Sequence, residues 1–293
     1  MKALNLLLTI LIFCSSCLLI ESCGTDHPGN KTTVITFNDN IAPIIYKKCA
    51  ACHHPGAAGP FNLLTYDDVK NHAQTIKLTV KSGAMPPWPA DTAYAHFLDE
   101  KAMTKEEVEL LCTWIDNGMT EGKSNHRQTA PEFHHSMIGK PDLSLTLPEK
   151  ILIKGDNKDR FYMMKVPIQM SQDTFLRLIE IIPGNSKLVH HINGHLVQYQ
   201  LGKKKSLSRG APFVDTEVND KKEAYQLLNL ANDDGSYPML TPSVTNYLPG
   251  VEAVVYTDEI GGYRLSKNSV LLLDNIHYGP SSIDTTDQTT FNF

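Results

Sequence analysis

Two cysteines and a histidine lie close together in the segment Cys49-Ala50-Ala51-Cys52-His53. Two thiols separated by two residues can form thioethers with the two vinyl groups of one porphyrin, and the adjacent imidazole can bind the iron. This spacing is the attachment signature of c-type haem. The sequence therefore predicts covalent haem c at Cys49 and Cys52, with His53 as an axial ligand of the iron.

A methionine in a proline-rich segment is a candidate ligand for the opposite face of that iron. Met85 opens the segment 85–88, in which two prolines restrict the backbone after it. A His/Met pair of ligands raises the reduction potential of haem and suits electron transfer. We predict Met85 as the second axial ligand, while Met103 and Met119, which flank a helix without a comparably stiff loop, remain competitors.

Two other roles for Cys49 and Cys52 stay open. Zinc would need a fourth ligand at a suitable spacing, and His54 is too close to His53 to serve easily beside it. A disulfide between the two thiols would suit an exported protein. It would, however, leave His53 and Met85 without a role.

The composition indicates a folded chain with more than one domain. Its 293 residues are enough for two domains with separate cores. The net charge of −5 comes from well-mixed charges, so no basic surface points to nucleic acid. Apolar content is that of a folded protein, which argues against disorder.

The N-terminal segment 1–23 has the features of an export signal. A lysine at position 2 precedes an apolar run that is too short for a confident membrane span. Cys23 is the favoured site for a lipid anchor to the membrane, Cys17 is its rival, and an ordinary cleaved signal is the third possibility. Each of these places the mature protein outside the cytoplasm, in the periplasm or on the cell envelope.

Helical patterns surround the haem motif. Apolar residues at helical spacing from Ile41 to Ile45 lead into the motif. A capping box at Thr65 predicts a helix that continues to Gly83, and a second box at Thr104 predicts another. The sequence therefore predicts a small all-α cytochrome c domain over residues 36–124.

The remainder of the chain has the texture of β-structure. Residues 125–140 are polar and are predicted to form a linker. From 141 to 293, alternating apolar residues between turns rich in Gly, Pro and Asn predict an antiparallel all-β sandwich, jelly-roll-like in type. Two of its predicted strands are Leu188–Leu201 and Ser269–Tyr278. The predicted fold class is thus multidomain.

Three histidines on these two strands could bind a metal. His190 and His191 are adjacent, and His277 closes the later strand. Three imidazoles suit copper or zinc. Because neighbouring residues of a regular strand face opposite sides, His190 and His191 could share a metal only at a bulge or a strand end. His195 faces the same side as His191, so His191, His195 and His277 form an alternative triad. A third possibility is that hydrogen bonds alone hold these histidines.

The motifs of the first half resemble a known family. The stretches C-A-A-C-H-H-P-G-A-A-G-P-F-N-L, M-P-P-W and L-C-T-W-I-D-N-G are similar to the cytochrome c module of secreted multidomain proteins of Bacteroidetes and Planctomycetes. The match covers nearly all of residues 40–122. In those proteins the module often precedes a copper type II, ascorbate-dependent monooxygenase-like domain.

The second half resembles the N-terminal half of the peptidylglycine α-hydroxylating and dopamine β-monooxygenase superfamily. In that superfamily an adjacent His-His pair and a distant third His hold the electron-transferring copper. The resemblance therefore implies that His190, His191 and His277 bind copper. The segment Y-L-P-G at 247–250, followed by a strand that ends in His-Tyr, fits the same order.

These patterns favour an exported haem c protein that passes electrons to a copper monooxygenase-like domain. Its redox partner would be a small reductant or another cytochrome. Family enzymes bind the substrate-activating copper in a second sandwich, so hydroxylation would need a domain beyond these residues, and an enzymatic role stays open. One alternative is an electron-transfer lipoprotein with a metal-free β-domain as a binding module. Another is a haem enzyme acting on peroxide, which ligation by Met85 would disfavour.

Overall fold

A computed structural model gives the fold of residues 34–97, 100–134, 136–251, 253 and 255–293. The predicted export signal, with Cys17 and Cys23, lies outside the described residues, so lipid attachment and export stay predictions. Within the described ranges, no helix has both the length and the apolar character needed to cross a bilayer.

Helices form the regular structure between residues 37 and 126. A π-helical turn at Phe37–Ile41 comes first and a 3-10 turn at Ser124–His126 comes last. Between them lie the α-helices α1 (Ala42–Lys48), α2 (Tyr66–Asn71), α3 (Ala73–Lys81) and α4 (Lys105–Asp116). Both predicted capping boxes are confirmed, since Thr65 and Thr104 each exchange hydrogen bonds with the third residue of the helix they begin.

One predicted helix is in fact two. The segment that begins at Thr65 leaves the helical conformation at His72, where φ is −107° and ψ is 9°. The ring of His72 stacks on Phe61 with the centroids 3.8 Å apart. The break therefore separates α2 from α3 beside the loop that follows the haem motif.

The helices pack around a few fully buried side chains. Ile41, Ile45, Leu111 and Trp114 are each at most 1% exposed. The indole nitrogen of Trp114 donates to the carbonyl of Thr120 at 2.9 Å, so α4 is tied to the chain that leaves it. This packing fixes the C-terminal end of α1, where the haem motif begins.

The chain from 144 onward forms strands and one further helix. The strands are β1 (Ser144–Thr146), β2 (Ile151–Ile153), β3 (Arg160–Gln169), β4 (Thr174–Leu176), β5 (Glu180–Ile182), β6 (Val189–Gln198), β7 (Phe213–Asp215), β8 (Met239–Tyr247), β9 (Tyr263–Leu265), β10 (Asn268–Tyr278), β11 (Thr285–Asp287) and β12 (Thr290–Asn292). Helix α5 (Lys221–Leu227) lies between β7 and β8.

The largest sheet is antiparallel and has the order β7-β3-β10-β6-β8. A three-stranded sheet, β1-β12-β5, and the pairs β11-β2 and β4-β9 make up the smaller sheets among the described residues. The predicted strands Leu188–Leu201 and Ser269–Tyr278 correspond to β6 and β10, which are neighbours in the largest sheet.

Both faces of the largest sheet are buried. On one face, Leu271 and Leu273 of β10 pack with Phe291 of β12. On the other face, Leu272 packs with Ala224 of α5 and with Leu228, the residue that follows this helix. Burial on both faces explains why β10 is a nearly continuous apolar run rather than an alternating one.

The predicted fold class is wrong. Instead of a multidomain chain with a small all-α cytochrome c domain ahead of a jelly-roll-like sandwich, Thr36–Phe293 form one compact unit. Strands hold 26% of the described residues and helices 19%, and one helix lies within the strand-rich part. Two contacts between distant loops join the helical part to the strand-rich part. Cys52 donates to the carbonyl of Pro249, and Ser186 donates to the carbonyl of Gly56.

Two buried lysines hold the chain on both sides of α5. Lys165 on β3 is 2% exposed and donates to the carbonyls of Arg209 and Leu228. Lys204 is 8% exposed and donates to the carbonyls of Asn229 and Ala231, at 2.7 and 2.5 Å. Burial, with a smaller contribution from the charge of Lys204, lowers the pKa of Lys165 to about 8.

This lowered pKa predicts a pH-dependent stability. Between pH 8 and 10.5, the unfolded chain binds a proton at Lys165 that the folded chain releases. The free energy of unfolding should therefore rise with pH across this window. Urea unfolding of wild type and Lys165→Met should show the extra rise in wild type alone. The exposed Lys105→Met variant is the control and should keep it; an equal pH slope in wild type and Lys165→Met would contradict the prediction.

Candidate functional site

Strand β6 carries an extra residue where its two histidines adjoin. His191 pairs with His277, and Val189 pairs with the next residue of β10, so His190 has no partner in the ladder. Such a β-bulge re-aims the side chain of the extra residue. Val189 and Ile192 are buried on either side, whereas His190 is exposed and His191 is half-buried. The bulge therefore turns both adjacent histidines out of the core.

The bulge brings three imidazoles together. One ligand nitrogen from each of His190, His191 and His277 lies within 4.8 Å of the other two. The Nδ1 atoms of His190 and His191 are 3.2 Å apart. Among the residues that the structure describes, this is the one group of three or more such side chains close enough to hold a metal ion. Neutral imidazole nitrogens are ligands that copper and zinc both accept.

Two outer side chains orient these rings. Asp159 accepts a hydrogen bond from Nε2 of His277 at 2.6 Å, and the amide of Asn275 lies 2.9 Å from Nε2 of His191. Because Nε2–H of His277 donates to Asp159, the Nδ1 atom of His277 keeps its lone pair. The amide nitrogen of Asn275 donates to Nε2 of His191, which fixes the orientation of that ring. An outer partner such as Asp159 fixes the tautomer in which a histidine can bind a metal.

Sequence reasoning missed both outer partners. Asp159 lies 118 residues from His277, and no local pattern links the two. The position of Asn275 could have identified it as a partner, because it lies two residues before His277 on the same strand. Phe161 was also missed, and its ring stacks on His277 with centroids 4.4 Å apart.

The electrostatics of the cluster favour the neutral imidazole at His191. Burial lowers the pKa of His191, and the nearby His277 and His190 lower it further, while the contact with Asn275 raises it. Because a protonated imidazole cannot bind a metal, the lowered pKa of His191 keeps its imidazole neutral and able to bind a metal near neutral pH.

His195 lies outside the cluster. Its Nδ1 is 3.1 Å from the carbonyl of Thr241, and its Nε2 is 3.2 Å from a carboxylate oxygen of Asp274. Nδ1 thus has a hydrogen-bond partner, and Nε2 lies beside a carboxylate. The alternative triad with His195 is not brought together in this structure.

The haem motif continues the end of α1. Cys49 is the C-terminal cap of this helix, and the next turn brings the N–H of His53 to the carbonyl of Cys49 at 3.1 Å. Cys49 and Cys52 are free thiols and do not form a disulfide. Burial raises the pKa of Cys49 to about 12 and also raises that of Cys52, so both thiols are protonated near neutral pH. Among the described residues, neither thiol belongs to a group of three or more side chains close enough to hold a metal ion, and a zinc site would need such a group.

His53 is held in one orientation by the loop that follows it. Its Nδ1–H donates to the carbonyl of Phe61 at 2.9 Å, which leaves the Nε2 lone pair for an axial bond to iron. A Cβ at Gly59 would lie 2.5 Å from the carbonyl oxygen of Cys52 and 2.8 Å from Nδ1 of His53. Glycine at this position therefore allows the loop to close over the imidazole.

The side chains of the Met85 segment are also of types that suit haem c. The Met85 side chain is 43% exposed, so its thioether is accessible, whereas Met103 and Met119 are half-buried. The indole N–H of Trp88 is buried without a hydrogen-bond partner among the described residues. An unpaired donor of this kind matches the propionate carboxylates of haem. Two thiols, an oriented imidazole, an accessible thioether and this donor together fit haem c.

The haem motif touches loops that flank the histidine cluster. The thiol of Cys52 donates to the carbonyl of Pro249 at 3.3 Å, just after β8. At Gly250, where φ is +74°, an added Cβ would lie 2.2 Å from the sulfur of Cys52. On the other side, Ser186, shortly before the bulge at His190, donates to the carbonyl of Gly56.

Comparisons with protein-family models, curated proteins and solved structures find no match to this chain. The resemblance of its motifs to the cytochrome c and monooxygenase families therefore stays an expectation.

The first prediction for the site concerns copper affinity. Replacing His190, His191 or His277 by alanine should weaken Cu²⁺ binding by roughly 100-fold or more, because outer partners alone typically account for about 10–100-fold. Asp159→Asn should fall within that smaller range. Calorimetric titration of one copper per chain would measure both effects. His195→Ala is the matched control and should bind copper as wild type does; a loss in that variant would restore the alternative triad.

The second prediction concerns the close approach at Cys52. Gly250→Ala should lower the free energy of unfolding by roughly 1–3 kcal/mol more than Gly261→Ala does, because only the first forces the sulfur to move. Gly261 is a suitable control, since its φ is +81° and nothing lies within 4 Å of an added Cβ. Denaturant unfolding of both variants gives the comparison, and equal losses would show that the contact contributes nothing.

Proposed function

We propose that this chain is an exported electron-transfer protein with two metal centres, haem c and copper. The observation that carries the proposal is the bulge at His190, which gathers three imidazoles within 4.8 Å of one another beside the loops that touch the haem motif. Bound at these positions, haem c and copper would each supply a one-electron couple.

At the haem position, each residue has a separate task. Cys49 and Cys52 would hold the porphyrin by thioethers. Both thiols are protonated and half-buried, and neither belongs to a metal-binding group among the described residues. His53 would bind the iron through Nε2, since the carbonyl of Phe61 occupies Nδ1–H. Met85 would supply a second ligand to the iron, and a thioether ligand raises the reduction potential.

At the copper position, the ligand set favours copper over the other metals that accept imidazole. Divalent copper binds nitrogen sites more tightly than zinc does. No cysteine occurs after Cys112, so thiolate ligation from the strand-rich part is excluded. Asp159 would hold the ring of His277 in the tautomer whose Nδ1 can bind copper, and Asn275 would fix the orientation of the His191 ring.

A contact and a loop join the two positions. The thiol of Cys52 contacts the carbonyl of Pro249, and this loop leads directly back to Tyr247 at the end of β8. Tyr247 pairs with Ile192, the residue after His191. The contact between this sulfur and the carbonyl, which does not require the thiol proton, and the backbone thus connect the attachment site of one centre to a ligand of the other. A small reductant or another cytochrome is the proposed external partner.

Rapid mixing of the holo-protein tests this function. With copper loaded, reduced haem should be reoxidised within the same molecule, at a rate independent of protein concentration. The His190→Ala, His191→Ala, His277→Ala triple variant should keep its haem but lose this phase, while His195→Ala keeps it. Equal copper content and equal rates in wild type and triple variant would remove the copper centre and leave a haem protein.

The axial ligand gives an independent prediction. Met85→Ala should lose the near-infrared band that arises from the methionine–iron bond and should lower the reduction potential, because the sulfur no longer binds. Spectroscopy and redox titration measure the two effects. Met137→Ala, which removes a methionine that is 57% exposed, is the control and should change neither. A band that survives in Met85→Ala would assign the ligand to another residue.

A further inference from the structure

An open cavity of about 820 Å³ lies at the opposite end of the largest sheet from the histidine cluster. Gln198, the last residue of β6, and Asn268, the first of β10, both line it. Since a strand rises about 3.3 Å per residue, β6 separates the cavity from His190 by roughly 25 Å. A ligand in this cavity would therefore be separate from the proposed copper centre.

A buried side chain in the wall of the cavity has an unused hydrogen-bond donor. Gln198 is 5% exposed, and its oxygen accepts from the N–H and the hydroxyl of Ser266, at 3.1 and 2.8 Å. Because a backbone N–H can only donate, this contact fixes which end of the amide is the oxygen. Among the described residues, Nε2 of Gln198 has no acceptor, yet it is not sealed from solvent. Its N–H groups are therefore available to an acceptor in the cavity.

The walls also carry one positive charge that is not neutralised. Arg264 pairs with Asp173 at 2.8 Å, and Lys203 pairs with Asp234 at 2.7 Å. Lys267 is half-buried and lines the cavity, and in the described part of the chain its ammonium has no acidic partner. The whole chain has a net charge of −5, so this excess of positive charge is local. One unpaired cation favours a ligand with a single negative charge.

The two flanks of the cavity differ in polarity. Gln198 pairs with Ser269 of β10 on one side and with Met239 of β8 on the other. Lys267 lies on the first side, just before β10. On the second side, Met239 is 56% exposed and Tyr237 is 75% exposed. Since neighbouring strands lie about 4.8 Å apart, the backbones of the cationic and apolar flanks are roughly 10 Å apart.

We propose that this cavity binds a monocarboxylic acid with an apolar body, such as an aliphatic acid of medium length. The carboxylate would accept from Nε2 of Gln198 and pair with Lys267, because a charge-assisted hydrogen bond is stronger than a neutral one. The carbon chain would then cross β6 and pack on Tyr237 and Met239, which removes apolar surface from water.

Other classes of ligand fit these walls less well. A cation would be repelled by Lys267 and would leave the donor of Gln198 unpaired. An alcohol would give the ammonium no opposite charge. A dianion would bring more negative charge than the one unpaired cation can neutralise. Binding of a monocarboxylate is a role that does not depend on either metal.

The test is calorimetric titration of the full chain with octanoate, compared with acetate, 1-octanol and octyl phosphate. Octanoate should bind saturably, with one molecule per chain. Its affinity should exceed that of acetate, which lacks the apolar body, and that of octanol, which lacks the charge, by roughly ten-fold or more.

Three variants separate the contributions of the walls. Lys267→Gln should weaken octanoate binding by roughly ten-fold and leave octanol unaffected. Gln198→Glu keeps the acceptor for Ser266 but replaces the donor by a negative charge, so it should weaken binding at least as much. Because Gln198 is buried and its variant could fail to fold, Lys267→Gln decides the test by itself. Tyr237→Ala should reduce the preference for octanoate over acetate.

Lys150→Gln is the matched control, since Lys150 is an exposed lysine outside the cavity. This variant should bind octanoate as wild type does, and so should His190→Ala. The proposal is overturned if octanoate does not bind, if Lys267→Gln binds it as wild type does, or if octanol binds as tightly as octanoate. An unchanged preference in Tyr237→Ala would overturn the apolar contact. Binding of octyl phosphate, but not of octanoate, would also overturn the proposal and assign the cavity to phosphate esters.

Discussion

The antiparallel pairing of β6 with β10 is the constraint on which the other features depend. These strands lie next to each other in the largest sheet and contribute side chains to the core on both of its faces. A slip of one residue would exchange the faces of His191 and Ile192 and expose the core, so the apolar pattern fixes the register. The same register places His277 opposite His191 and puts Gln198 at the far end. The core and the histidine cluster therefore share one determinant.

Backbone groups hold the reactive side chains of the haem motif in place. The carbonyl of Phe61 fixes the ring of His53, and the carbonyl of Pro249 receives the thiol of Cys52. Both contacts need the chain to come unusually close, and Gly59 and Gly250 are the residues whose missing Cβ permits it. A carbonyl cannot swing away as a side chain can. The arrangement thus gives orientation at little cost in conformational entropy.

Local sequence patterns predicted local features, whereas contacts between residues far apart in the chain could not be predicted from them. The capping box at Thr104 marked the start of α4, and the apolar run marked β6, which begins one residue after the predicted strand and ends three residues before it. The need for a bulge at His190 followed from strand geometry alone. By contrast, the contact of Cys52 with Pro249 joins residues 197 apart, and no periodicity reports it. That contact is why the fold class was mispredicted, and the same limitation hid Asp159.

Strand β8 forms one edge of the largest sheet, and its composition governs how the protein behaves towards copies of itself. A long edge with exposed apolar residues, here Met239 and Leu240, is a template onto which another chain can add a strand. Pro242 lies within β8 where its register with β6 shifts, and a proline on an edge strand interrupts the ladder and so discourages the addition of another strand. The fold therefore carries its own protection against fibrillar growth along the edge next to its histidine-bearing strand.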